Sequence, residues 1–177
     1  MSDIEITVAR PGERDLIANL FQLYAHDFSD FWVGLPDGEL QDDGRFEDYW
    51  ALDHYWSEPD HIPLLFRIGG HPVGFALLNA TSHSGLTVDR NMAEFFIVRK
   101  HRRGGAGTQA ARVLFSRYPG VWEAAVARKN IGARAFWRRA LSGCPGVQDM
   151  EETDHQTAAW NGPILRFRVG EAPTKAQ

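Results

Sequence analysis

An apolar, β-prone stretch, Glu94-Phe95-Phe96-Ile97-Val98, runs straight into the basic, glycine-rich turn Arg99-Lys100-His101-Arg102-Arg103-Gly104-Gly105-Ala106-Gly107-Thr108, and that turn opens into a helical pattern. Strand, small-residue turn and helix in this order make an anion-binding device. Consecutive small residues let backbone N–H groups approach a ligand, and the helix adds its unsatisfied first-turn donors and the positive end of its dipole. Arg102 and Arg103 bring charge to the same point. A phosphorylated guest is the implication, and the segment fixes a strand-turn-helix unit in the middle of the chain.

The common nucleotide loops fit it poorly. A Walker loop ends in Gly-Lys-Ser/Thr, whereas Gly107 is followed directly by Thr108. A Rossmann fingerprint needs three spaced glycines and an acidic residue after the next strand; Arg102 stands where the first glycine would be, and Glu123 falls early in the strand that follows. What the segment does carry is Arg-x-x-Gly-x-Gly, as Arg102, Gly105 and Gly107. A second pattern lies downstream: the strand Val121-Trp122-Glu123-Ala124-Ala125-Val126, then Asn130 opening a helix that holds Ala133, Phe136 and Trp137. Two motifs in this order and spacing resemble the GNAT superfamily, the acyl-CoA-dependent N-acyltransferases.

The remaining elements are read from periodicity. Ile4, Ile6 and Val8 alternate with polar residues as in a strand, and Leu16, Leu20, Leu23, Tyr24 and Phe28 follow helical spacing after Pro11-Gly12. A second helix is expected over about 46–56, ended by Glu58-Pro59. The apolar runs 62–68 and 73–80 flank Gly69-Gly70 and read as a hairpin, and 164–169 reads as a last strand. The order β-α-α-β-β-β-α-β-α-β-β is not a simple alternating α/β pattern. The resemblance implies a single-domain α/β fold with a central mixed, strongly twisted sheet flanked by helices, spanning residues 1–170, with 171–177 as a flexible tail.

The resemblance also implies roles. Acetyl-CoA would be the cosubstrate. The backbone of Phe96, Ile97 and Val98 would pair with its pantetheine arm, and Arg102, Arg103, Gly104, Gly105, Ala106, Gly107 and Thr108 would hold the pyrophosphate. Asn130 and Phe136 would complete the cofactor-binding set, although an Asn here is also a favoured helix N-cap. Many family members carry a tyrosine where this chain has Trp137, and its phenol protonates the departing thiolate; an indole N–H is a poor acid and cannot replace it.

Glu94 is the only ionisable residue between Met92 and Val98. Pleating sets Glu94, Phe96 and Val98 on one face and Ala93, Phe95 and Ile97 on the other. A carboxylate in such company needs either an arginine partner or a polar cleft, where desolvation raises its pKa into the range of a general base. Relatives often place an acidic residue here to take a proton from the acceptor amine. The stretch 27–53 mixes acids with aromatics and reads either as a wall for a cationic acceptor or as a solvated acidic loop.

Bulk properties limit the other readings. At 177 residues, 44% hydrophobic and 12% aromatic, the chain suits one folded domain. A net charge of −4 gives no support to nucleic acid or a membrane surface as partner. The start Met1-Ser2-Asp3-Ile4-Glu5 lacks the features of a signal peptide, and a cytoplasmic location is expected. The lone Cys144 excludes an internal disulfide, and the seven histidines show no metal-ligand spacing. The expectation is therefore an N-acetyltransferase acting on a small or peptidic primary amine, with a homodimer left open. The alternatives are a non-catalytic acyl-CoA-binding or sensor protein and a general nucleotide-phosphate binder.

Overall fold

A computed structural model describes residues 3–35 and 38–170; the expected tail at 171–177 lies outside them. Seven strands, β1 (Ile4–Val8), β2 (Ile62–Ile68), β3 (His71–Asn79), β4 (Arg90–Ile97), β5 (Gly120–Ala125), β6 (Val147–Gln156) and β7 (Asn161–Val169), form one mixed sheet in the order β1-β2-β3-β4-β5-β7-β6. Four helices complete it: α1 (Arg14–Phe28), α2 (His54–Ser57), α3 (Ala106–Arg117) and α4 (Ile131–Ser142). The order of elements is the one expected from the sequence.

Every neighbouring pair is antiparallel except β4 and β5, which run parallel. That pair is short: only Arg90 faces Trp122 and Asn91 faces Glu123 before the strands part. Beyond Asn91, β4 keeps β3 on one side and has no strand on the other. The parting opens the sheet beside Phe95, Phe96 and Ile97.

Each face of the sheet buries its own core. On one side α3 and α4 bring Ala110, Leu114, Phe115, Trp137 and Leu141 against Met92, Ile97, Trp122 and Phe167. On the other side α1 and α2 bring Ile17, Leu20 and Tyr55 against Leu65, Phe75, Leu77 and Phe96. The hairpin turn between β2 and β3 holds Gly69 and Gly70 at φ 58° and 79°, the doubly left-handed geometry that a two-residue turn demands. Before α1, the Glu13 carboxylate accepts from the Arg10 N–H at 3.0 Å and from Arg67 at 3.1 Å. The Arg10 backbone bond leads the influences that hold this carboxyl down at about 2, and the Arg67 bond anchors the start of the helix to β2.

The helix expected over 46–56 is a correction. Only His54–Ser57 is helical; 46–49 is irregular and 50–53 is turn, closed by bonds such as Leu52 N–H to Tyr49 O. The Gln22 side chain explains it by bonding both backbone groups of Phe46, donating to its carbonyl at 3.1 Å and accepting from its N–H at 2.9 Å. A long-range side-chain pair has replaced the first bonds a helix would need.

Candidate active site

The glycine-rich segment leaves β4 through a 3-10 turn at Arg99–His101 and enters α3 at Ala106. Gly105 caps the helix at φ +88°, a conformation that side chains with a Cβ adopt only under strain. The Gln109 N–H is the first to find a partner in the helix, Gly105 O at 2.9 Å. The N–H groups of Ala106, Gly107 and Thr108 therefore remain open, as the first turn of any helix leaves them. Gly107 faces Phe136 of α4, and a Cβ added there would stand 3.2 Å from its ring. No side chain fits between loop and α4 without displacing that ring.

A groove of about 640 Å³ lies over this loop, along the gap between β4 and β5. Its walls are the end of α1 with Tyr24, Asp27 and Phe28, the strand residues Phe95, Phe96 and Ile97, the loop and α3 start with Arg102, Arg103, Gly105, Gly107 and Thr108, and the α4 start with Asn130 and Phe136. The expected phosphate and pantetheine residues are thus brought together, apart from Val98, Gly104 and Ala106, which do not line it. Open helix donors, arginines and a strip of unpaired strand backbone are the features a phosphorylated, amide-bearing chain requires. A smaller hollow of about 170 Å³ near Val121 and Arg168 lies at the far end of the sheet, away from the glycine-rich loop.

Two loop arginines are already engaged. Asp27 accepts from Arg99 Nε at 2.7 Å and from Arg102, whose own Nε donates to Ile97 O at 2.6 Å. Burial pushes the Asp27 carboxyl up, but hydrogen bonds from Arg102 and Arg99 outweigh it and hold the group below its ordinary value. Arg103, with φ 64°, makes no ion pair among the described residues. Asn130 is the α4 N-cap: its Oδ1 accepts from the Ala133 N–H at 3.0 Å. It also borders the groove, so capping and a place on the wall coexist in one side chain.

Glu94 sits at a bulge. Glu94 pairs with Leu77 and Met92 with Leu78, which leaves Ala93 without a partner. Phe96 packs in the α1 core while Phe95 and Ile97 pack toward α3 and α4, as the alternation requires. Glu94 is partly buried and forms no ion pair among the described residues, so the arginine-partner alternative has no support. Burial pushes its carboxyl up to about 7, and the neighbouring Tyr24 phenol pulls the other way. Burial pushes up the phenols of Tyr24, Tyr49 and Tyr55, and the Glu94 charge adds to each. Behind them the Tyr55 hydroxyl accepts from Asn79 at 3.3 Å, and Asn79 accepts from Asn91 at 3.1 Å.

Trp137 is turned away from this centre. It is buried in the α3/α4 core, with its ring 5.1 Å from Phe95 and 4.9 Å from Phe136 between centroids. Cys144 is likewise buried, and burial raises its thiol, the behaviour of a packing residue rather than a nucleophile. The acidic-aromatic stretch divides. Asp27, Phe28, Asp30 and Phe31 line the groove, whereas Asp42, Asp43 and Glu47 are solvent-exposed.

Tyr24 is the groove residue the sequence hid, and Asp27, read there only as the first acid of the stretch 27–53, proves to hold two loop arginines. Tyr24 reads there as one more apolar position of an amphipathic helix. The signal that could have exposed it is a hydroxyl and a carboxylate three residues apart, both on the helix face that ends beside the glycine-rich loop.

Residues 17–142 match the sequence profile of the acetyltransferase (GNAT) family. No curated protein sequence matches the chain. Among solved structures, an acetyltransferase from Thermus thermophilus shares 19% identity with a TM-score of 0.66, covering 96% of this chain and 99% of the other. An aminoglycoside acetyltransferase in complex with coenzyme A shares 12% identity with a TM-score of 0.59, over 94% and 95% of the two chains. The ribosomal-protein-S18-alanine N-acetyltransferase of Escherichia coli shares 11% with a TM-score of 0.54, over 98% and 99%. At these identities the structures speak for the fold, and the profile speaks for descent. With a mixed seven-stranded sheet, a β4/β5 gap and a matching profile over most of its length, the chain belongs to the GNAT acetyltransferase family.

Proposed function

We propose that this protein is an N-acetyltransferase that moves the acetyl group of acetyl-CoA to a primary amine by direct attack within a ternary complex. The observation that carries the reading is the place of Glu94, two residues before the groove-lining Phe96 on the same strand face and without a cationic partner among the described residues; burial pushes its carboxyl up to about 7. An amine becomes a nucleophile only as the free base, and the nitrogen must shed a proton as the new C–N bond forms. A carboxylate near neutrality accepts that proton and returns it within one cycle.

The groove supports the other half of the reading. Open N–H groups at the start of α3 suit a pyrophosphate, and the unpaired side of β4 suits the amides of a pantetheine arm. Both hold the acetyl donor so that its thioester lies where the strands part, converting an encounter of two molecules into a positioned reaction. The coenzyme A in the aminoglycoside acetyltransferase structure is consistent with this guest. A second reading, acyl-CoA binding without turnover, draws on the absence of a hydroxyl at Trp137. Thiol release from acetyl-CoA across a panel of primary amines separates the two. Amine-dependent release is expected; saturable acetyl-CoA binding with no release from any amine would leave the sensor reading.

A further inference from the structure

We propose that the acceptor is an arylalkyl monoamine, a primary amine on a flat aromatic body, and that this body lies along Phe28 and Phe31 at the end of α1. The inference rests on the acetyl-transfer reading above and names the class of amine.

Phe28 and Phe31 are large apolar side chains that belong to no core. Both are half-buried, and neither joins the cluster under α1 and α2 or the one under α3 and α4. Both line the groove. They continue a row of rings that starts on the sheet. Phe96 meets Tyr24 at 5.8 Å, Tyr24 meets Phe28 at 4.9 Å, and Phe28 meets Phe31 at 5.3 Å between centroids. Phe28 and Phe31 stand edge-on, at 86° between their planes. Apolar surface left half open on a groove wall gains by burial against a guest, and rings gain further when the guest is itself aromatic.

The wall is tied down at both ends. Asp27, one residue before Phe28, accepts from Arg99 at 2.7 Å and from Arg102 on the glycine-rich loop. The Phe31 carbonyl accepts from Lys129 Nζ at 3.1 Å, just before α4. A guest therefore meets rings whose backbone is already fixed, which lowers the ordering cost of binding. The wall also faces the right way. Phe95, Ile97 and Phe136 pack with α3 and α4, on the side where the open N–H groups lie, whereas Tyr24 and Phe96 pack with α1. A donor held from the α3 side brings its thioester to the parting of the strands, and the α1 wall meets it from across the gap.

Charge limits the number of cations the guest carries. The carboxylates that line the groove are Asp27 and Asp30. Asp27 is held by its two arginines, and Asp30 makes no ion pair among the described residues. One free carboxylate, set between Phe28 and Phe31 in the chain, suits one arriving ammonium. The further cations of a polyamine would meet the guanidiniums of Arg103 and Arg139, which line the same groove.

The test measures thiol release from acetyl-CoA with phenethylamine, hexylamine, spermidine and a lysine-containing peptide. Calorimetry separately reads acetyl-CoA affinity and the binding of phenethylamine to protein saturated with coenzyme A. Phenethylamine is expected to exceed each other amine in kcat/KM by at least about tenfold. Phe31→Leu keeps apolar bulk and loses the ring. It should raise KM for phenethylamine by about threefold to tenfold while leaving hexylamine and acetyl-CoA affinity as they were. Phe28→Ala should weaken phenethylamine by at least about tenfold, again with acetyl-CoA affinity held. Hexylamine used as well as phenethylamine, a preference for spermidine or the peptide, or equal losses for every amine in Phe31→Leu each overturn the proposal and leave acetyl transfer in place. Weaker acetyl-CoA binding in Phe31→Leu overturns it too, by giving the wall to the donor. No thiol release with any amine removes the acetyl-transfer reading instead. In that event phenethylamine binding that Phe31→Leu weakens keeps the aromatic wall, and no binding removes it as well.

Discussion

The Asp27 carboxylate at the end of α1 holds the guanidinium of Arg102 with one oxygen and that of Arg99 with the other, at 2.7 Å for the latter. The arginine expected to meet a pyrophosphate is therefore neutralised by a neighbouring helix before any ligand arrives. A polyanionic guest must compete with Asp27 or accept its charge as a neighbour. Asp27→Asn removes that charge and frees both arginines. Coenzyme A is expected to bind about threefold to tenfold tighter at low ionic strength, with the gain shrinking as salt is added. Calorimetry at two salt concentrations measures it. Weaker binding would mean that Asp27 aims the arginines rather than competing for them.

Gly105 and Gly107 should fail for different reasons. Gly105 adopts φ +88°, so Gly105→Val strains the backbone by about 1–2 kcal/mol and misdirects the open N–H groups. Gly107→Val drives branched carbons into the Phe136 ring, 3.2 Å from the first of them. Both variants are expected to keep the fold by circular dichroism and to lose coenzyme A affinity by at least about tenfold, near 1.4 kcal/mol. Undiminished affinity in the folded double variant would remove the loop as the phosphate site.

Glu94→Gln keeps the shape and loses the base. Acetyl-CoA affinity should be nearly unchanged, and kcat/KM toward the amine should fall by about 10²–10⁴-fold, with partial recovery at high pH as free amine accumulates. Wild-type activity should rise with pH through about 7 as the carboxyl ionises. Stability runs the opposite way. The folded carboxyl is raised from 4.5 to about 7, so between those values the folded state holds more protons than the unfolded one and loses stability as pH rises. Glutamine mimics the protonated form and escapes the loss. The melting temperature of Glu94→Gln should match wild type near pH 4.5 and exceed it above pH 7. Equal melting curves at both pH values would show that burial does not act on this carboxylate as described.

Trp137 is a packing residue. Trp137→Phe keeps an aromatic ring against Phe95 and Phe115 and should retain most turnover. Trp137→Ala empties a buried site and should cost about 3–5 kcal/mol, visible as a large fall in denaturation midpoint. Loss of chemistry in a stable Trp137→Phe would return the indole to the reaction.

Legibility of the fold tracked the range of the forces involved. The loop from Arg102 to Thr108, α3 and α4 follow from local patterns: glycines where the backbone needs them, an Asn cap, apolar positions at helical spacing. Glu94 could be singled out because one charge in an apolar strand must be explained wherever it lies. The stretch 46–53 could not, since its conformation depends on Gln22, distant in the chain, bonding Phe46 on both sides. The bulge at Ala93 and the packing of Tyr24 on Phe96 were hidden likewise, because each depends on which strand and which helix come to lie alongside β4.

The parting of β4 and β5 after Asn91 leaves main-chain groups of β4 with no strand partner along one side of the groove. Peptide N–H and C=O groups survive almost every substitution, so mutation can rewrite the side chains around such a groove without erasing it. A lineage built this way can drift far in sequence while its ligand cleft persists. The same sheet and helices recur in proteins only 11–19% identical to this chain.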